Sequence, residues 1–307
     1  MREYAFQTDK PLPVGVAYAF YERIIKEKML TFMYITNKPE IALIAQKYGV
    51  ERVWIDLETL GKDERQKNMD SVKSHHTVDD IRRIAPLLDK SEMLVRINPW
   101  HDGSKSEIDE VIDAGAKIIM LPMWKTAEEV KSFVSAVNGR ATTVLLLETR
   151  EAESCLDEVL SVGGFDEIHI GLNDLHLSYG LNFMFELLAN GTVERICRKI
   201  AAAGIPYGFG GIAKIGEGML PAERVLTEHY RLGSRRVILS RSFCDADKID
   251  DINEVERIFE ENVAKLRRYE RIAEKSSKAE FEENKAAIAE CVDKIAAAVA
   301  ARRRKNG

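Results

Sequence analysis

Five ionisable side chains of this 307-residue chain stand where short apolar runs end: Asp56, Glu58, Arg96, Glu148 and Asp174. Leu145 to Leu147 lead straight into Glu148. Packing alone does not explain a carboxylate there, because an unpaired buried charge costs several kcal/mol or titrates away. Asp174 lies in Gly171-Leu172-Asn173-Asp174-Leu175-His176-Leu177-Ser178, a polar, glycine-started turn entering a helix. Two carboxylates with no thiolate pair form a hard oxygen site suited to Mg2+ or Mn2+, ions that keep waters and accept substrate oxygens. Each residue also has a structural reading. Arg96 can pair with Asp56 or Glu58 in a network, Asp174 can cap a helix, and Glu148 with Arg150 can form a rim salt bridge. Among the six histidines, His75 and His76 precede a helix and read as solvent-facing. His169 lies within a strand, and His101 follows the third strand within reach of a site. Gly208, Gly210 and Gly211 either cradle a phosphate or let substrate or backbone come close.

The elements that must carry these residues are written in the hydropathy pattern. Strands are expected at Leu30–Ile35, Arg52–Leu57, Met93–Ile97, Lys117–Leu121, Thr142–Leu147, Glu167–Ile170, Ile205–Phe209 and Arg236–Leu239. All are short and apolar with little polar alternation, as in parallel strands buried on both faces. Helical segments lie between them. Pro39 opens one and Gly49 closes it, while Thr77 and Thr126 precede acidic first turns as N-caps. Gly115, Gly139, Gly204 and Gly233 stand before strands, where helices end. This alternation predicts a (β/α)8 (TIM) barrel, with the active site at the C-terminal strand ends. A doubly wound sheet is the rival, but no G-x-G-x-x-G follows the first strand.

The expected organisation is a barrel with an N-terminal helix over residues 1–252 and a helical extension over 253–307. Val14–Lys28 reads as a helix able to plug the barrel bottom. The extension is read as two helices separated near Lys275–Lys278, the second opened by the capping-box pattern Ser277-Lys278-Ala279-Glu280. Its stripe of Ile288, Cys291, Val292, Ile295 and Val299 needs a surface, on its own barrel or on a neighbouring subunit, and a homo-oligomer is expected. A net charge of -5 gives no sign of nucleic-acid binding. Four scattered cysteines, no long apolar span and no signal-peptide layout point to the cytoplasm.

An ordered set of motifs goes further. Val95-Arg96-Ile97-Asn98, Val111-Ile112-Asp113-Ala114-Gly115-Ala116, Leu121-Pro122-Met123, Leu147-Glu148-Thr149-Arg150-Glu151-Ala152 and Ile170-Gly171-Leu172-Asn173-Asp174-Leu175 together resemble the HpcH/HpaI aldolase and citrate lyase beta-subunit family. Asp56-Leu57-Glu58 matches its citrate lyase branch, and the resemblance spans about residues 30 to 245. It implies that Glu148 and Asp174 ligate Mg2+ or Mn2+, which holds the carboxylate and keto oxygen of pyruvate or a related 2-keto acid. It also implies that Arg96 contacts the keto oxygen, and that backbone N–H groups around Asn173 and Asp174 receive the substrate carboxylate. Asp113 matches an aspartate that supports the site, often from a neighbouring subunit. Two positions depart from the aldolase branch: Thr59 stands where a histidine is usual, and Leu146 where a glutamine is usual.

The expected activity is therefore that of a metal-dependent carbon–carbon lyase, an aldolase working through an enolate. The alternatives are citrate-lyase-like cleavage of an acyl-CoA or acyl-carrier substrate, and a non-catalytic keto-acid-binding barrel. With Thr59 at the histidine position, no single histidine is expected to be indispensable. Asp56 or Glu58 would orient a metal-bound water acting as base.

Overall fold

The computed structural model describes residues 29–61 and 75–306, so the expected helix Val14–Lys28 lies outside the described residues. Strands β1 (Thr31–Ile35), β2 (Arg52–Asp56), β3 (Glu92–Arg96), β4 (Ile118–Leu121), β5 (Thr142–Leu147), β6 (Glu167–Ile170), β7 (Tyr207–Ile212) and β8 (Arg236–Leu239) close in sequence order into an all-parallel barrel. Around it run α1 (Pro39–Lys47), α2 (Val78–Ile84), α3 (Ser104–Ala114), α4 (Ala127–Val137), α5 (Arg150–Ser154), α6 (Leu156–Val162), α7 (Leu172–Ser178), α8 (Glu186–Ala189), α9 (Thr192–Ala202) and α10 (Ala222–Leu232). Thr77 and Thr126 cap α2 and α4 with complete capping boxes, as their spacing predicts.

Period-two alternation sorts each strand into a helix-facing and a barrel-facing set. Met33, Trp54, Leu94, Ile118, Met120, Val144 and Leu146 form a separate apolar cluster inside the barrel. Two residues toward the strand starts, the interior turns ionic. Glu167 accepts bidentate hydrogen bonds from Arg52 (2.7 and 2.8 Å) and from Arg236 (3.0 and 2.8 Å). Burial works against its charge, but the two guanidiniums prevail and hold its pKa down to about 2. Two residues the other way lie Asp56, Arg96 and Glu148, at the end where barrel sites form.

The seventh strand departs from expectation. It begins after Pro206, which has no N–H to give, and continues through the glycines to Ile212. A Cβ on Gly208 would sit 2.2 Å from the Arg236 carbonyl oxygen, and one on Gly210 would sit 2.7 Å from Leu172. Close approach of protein to protein accounts for these two glycines.

Two long helices complete the chain, α11 (Ile252–Ala273) and α12 (Lys278–Asn306). Asp251 caps the first, and Ser277 with Glu280 forms the expected capping box at the second. Helix α12 packs on α8 and α10 of its own barrel, burying Ile288 and Val292 completely. Of the stripe read as needing a surface, Ile288 and Val292 are thus covered in cis, while Cys291, Ile295 and Val299 stay half-buried. Truncation before Ser277 is expected to lower the melting temperature by about 5–10 °C, from roughly 1.5–3 kcal/mol for each fully buried side chain. Light scattering should show the parent's subunit number unchanged; a lower number would return the helix to an assembly role.

Candidate active site

The C-terminal mouth of the barrel opens into a cavity of about 770 Å3 whose lining includes Asp56, Arg96, Leu146, Glu148, Asn173 and Asp174. Asp56 ends β2 and Arg96 ends β3, directly opposite each other in register. The guanidinium donates from Nε and Nη2 to the two Asp56 carboxylate oxygens at 2.8 and 2.9 Å. Its Nη1 lies 3.2 Å from Glu58 Oε2, and the group rests 5.3 Å from the centre of the Trp54 ring. Burial opposes its charge, yet Asp56 first and Glu58 next, with help from Glu148, raise the guanidinium pKa well above its ordinary value. The structural pairing of Arg96 is therefore real, and it fixes a planar cation in the cavity wall.

Glu148 follows β5 into the mouth with its side chain almost wholly buried. Its Oε1 accepts the backbone N–H of Met123 at 3.1 Å. Met123, after β4, holds a left-handed φ of 52°, unusual for a side chain of this kind. That strained turn presents the N–H to the carboxylate. Gly171 makes room on the other side, since a Cβ there would lie 3.0 Å from Glu148 Oε2. Burial first, and Asp174 second, raise the Glu148 pKa well above the ordinary carboxylate range, with Arg96 pulling the other way. Asp174 stands in the first turn of α7, which Gly171 begins without a side-chain cap.

Other expected residues take varied places. Arg150 turns outward over the Tyr179 ring at 5.3 Å and into an outer cleft, so the rim salt bridge with Glu148 does not form. His101 binds Ser104 at the start of α3 and is outside the cavity lining. Asp113 is exposed at the C-terminal end of α3, the end of the barrel away from the mouth. Leu146 lines the cavity where a polar amide was the alternative, making that wall apolar. His169 faces the cavity from β6, with burial lowering its pKa to about 4. His76 corrects the solvent-facing reading: it is half-buried in the cavity wall, and its Nδ1 accepts the Asp56 backbone N–H at 3.0 Å. Sequence reasoning missed this residue and the N–H of Met123. The only local signal for either was its place beside a helix cap or a proline.

The chain is thus a (β/α)8 barrel whose mouth brings two carboxylates of β5 and β6 near an arginine braced by the end of β2. Residues 29–209 match the model of the HpcH/HpaI aldolase/citrate lyase family, and the chain belongs to that family. A 2-keto-3-deoxy-L-rhamnonate aldolase of Escherichia coli is 30% identical over 146 residues, a match covering 36% of this chain and 54% of that enzyme. The chain therefore spans about half the length of the curated relatives it matches. Among solved structures, an HpcH/HpaI aldolase from Desulfitobacterium hafniense superposes with a TM-score of 0.56 at 16% identity, covering 71% of this chain and 89% of that one. A family protein from Burkholderia cenocepacia gives 0.55 at 16% identity, covering 77% and 98%. At such identity these two structures speak for the fold.

Proposed function

We propose that this protein is a divalent-metal-dependent carbon–carbon lyase that forms or cleaves an aldol bond through the enolate of pyruvate or a related 2-keto acid. The observation that carries the proposal is the buried Glu148 beside Asp174, with the Arg96 guanidinium in the same cavity. A buried carboxylate with a second carboxylate close by is the donor set that a hard cation satisfies. Among the described residues no group of three or more acidic, histidine or cysteine side chains could hold a metal ion. Mg2+ or Mn2+ would rest on Glu148 and Asp174 alone, leaving positions for water and substrate oxygens.

When bound, the ion supplies Lewis-acid polarisation of the keto group. The chain's own residues supply the rest. Arg96, fixed by Asp56 and Glu58, offers N–H donors to the oxygen on which enolate charge develops. Asn173 and Asp174, at the uncapped start of α7, offer backbone N–H groups to the substrate carboxylate. Leu146 keeps that wall dry. Four free cysteines suit the proposed cytoplasmic setting, and no described helix is long and apolar enough to cross a membrane. A homo-oligomer is part of the proposal.

Purified protein is expected to turn over oxaloacetate, or pyruvate with an aldehyde panel. A chelator should abolish the turnover, and Mg2+ or Mn2+ should restore it. Turnover that survives chelation would sink the metal assignment. Keto-acid binding without turnover across the panel would make this a binding barrel instead.

A further inference from the structure

We infer that the aldehyde fragment of the substrate is uncharged and apolar, its carbon chain lying on a wall built between α7 and α10. This inference rests on the enolate chemistry proposed above and names the class of its second reactant.

The cavity is larger than a keto acid requires. At about 770 Å3 it has the size that encloses a drug-sized ligand, and a three-carbon keto acid fills only part of it. Arg96 after β3, Glu148 after β5 and Asp174 after β6 bracket the keto-acid end. Beyond Asp174 the lining changes character. Every lining residue from Phe183 to Leu239 is apolar or glycine, among them Phe183, Met184, Phe185, Ile212, Met219 and Leu220.

Local structure makes this wall a fixed surface. The N–H groups of Asn182 and Phe183 both donate to Glu186 Oε2 at 2.7 Å, which holds the turn before α8. Phe183 and Phe185 then meet edge to face at 5.4 Å, and both are buried. In the segment after β7, Gly218 takes a left-handed φ of 100°, and a Cβ there would lie 2.7 Å from the Leu220 carbonyl oxygen. That turn leaves Met219 in the cavity lining yet 62% exposed. Helix α12 backs both segments. It packs on α8 and α10, and its Cys291 thiol reaches the Met219 carbonyl oxygen at 3.8 Å.

Solvation decides the occupant. A hydroxyl or carboxylate against this wall gives up water and finds no side-chain hydrogen-bond partner, whereas an apolar chain gains by leaving water. Polar side chains after β1 are engaged within the protein. Thr36 Oγ1 accepts the Lys38 N–H at 3.2 Å, and Asn37 Nδ2 donates to Asp80 Oδ2 at 3.4 Å. After β8, Arg241 shares the lining with Asp245 and Asp247, a balance of charge that does not draw an anion. Met184 and Met219 are unbranched and flexible, so the wall adapts to straight, branched and aromatic chains.

The test is a chain-length series. With pyruvate and Mn2+, kcat/KM for straight-chain aldehydes should rise about fourfold for each methylene that reaches the wall, and on the order of 100-fold from acetaldehyde to hexanal. Butanal should exceed succinic semialdehyde, of equal carbon count, by about tenfold or more. Met184→Gln and Met219→Gln keep side-chain length at sites that are not fully buried. Each should lower the hexanal-to-acetaldehyde ratio by about fivefold. The ratio is internal to each variant, so a loss of folded protein does not move it. A flat series, a preference for succinic semialdehyde or glyceraldehyde, or a ratio that both folded variants retain would overturn the inference. Exchange of pyruvate methyl protons for deuterium, measured alongside, tells which reading has failed. Exchange with a flat series removes the wall's role and leaves the enolate reading standing. Neither exchange nor addition takes the proposed function down, and this inference with it.

Discussion

Glu148→Gln and Asp174→Asn are each expected to abolish Mg2+ or Mn2+ binding and turnover together. Each substitution keeps shape and hydrogen bonding but removes one of the two charges on which the ion rests. In the parent, affinity for the ion alone should be modest, and oxamate or pyruvate should tighten it by completing the coordination shell. Calorimetry checks both statements, and a variant that binds the ion as tightly as the parent removes its residue from the ligand set.

The Glu148 substitution carries a second, independent expectation. Burial first and Asp174 second raise the Glu148 carboxyl above its ordinary value of 4.5. A carboxyl raised in the folded state binds its proton more tightly there than in the unfolded chain. Its favourable contribution is present below about pH 4.5 and is lost as pH rises through the raised folded value. Metal-free Glu148→Gln should therefore melt higher than the metal-free parent at pH 7–8. The gap should close on acidification toward the ordinary carboxylate range. Adding Mn2+ should stabilise the parent and leave the variant unmoved. A metal-free variant that melts below the parent at neutral pH would show the carboxylate to be structurally satisfied.

Arg96→Lys is expected to lower turnover by two or more powers of ten, an order-of-magnitude loss comparable with removing an oxyanion donor. The ammonium keeps the charge but not the planar fork, which spans both oxygens of Asp56 while Nη1 approaches Glu58. The loss should fall on kcat more than on KM, because the arginine's bond to the keto oxygen strengthens as the enolate forms. Metal affinity without substrate should change little. Activity within about threefold of the parent, by the same yardstick, would leave Arg96 as a structural cation that ties β2 to β3.

Local pattern was enough for the framework. Uniformly apolar runs such as Val144 to Leu147 within β5 have little choice but to be buried on both faces, which is the property of a parallel barrel strand. Capping boxes at Thr77, Thr126 and Ser277 are set by side chains three residues apart, so they survive whatever surrounds them. Candidate residues at strand ends were legible for the same reason: period two carries Arg52, Trp54 and Asp56, or Val144, Leu146 and Glu148, along one inner face.

Tertiary structure decided what depends on distant segments meeting. Whether the stripe of α12 faced its own barrel or a neighbour could not follow from its spacing, because any apolar surface satisfies it; α8 and α10 supplied that surface for Ile288 and Val292. The glycines of β7 read equally as a phosphate cradle or as room for close approach until Arg236 and Leu172 are seen 2.2 and 2.7 Å from where a Cβ on Gly208 and Gly210 would stand. His76 looked solvent-facing because its local sequence is that of a loop before a helix. It became a wall of the cavity where its Nδ1 accepts the Asp56 N–H past the end of β1, a contact between segments 20 positions apart. The proton affinity of Glu148 was likewise invisible in the chain: it arises first from burial of its own side chain and second from the nearness of Asp174, 26 positions away, both set by closure of the barrel.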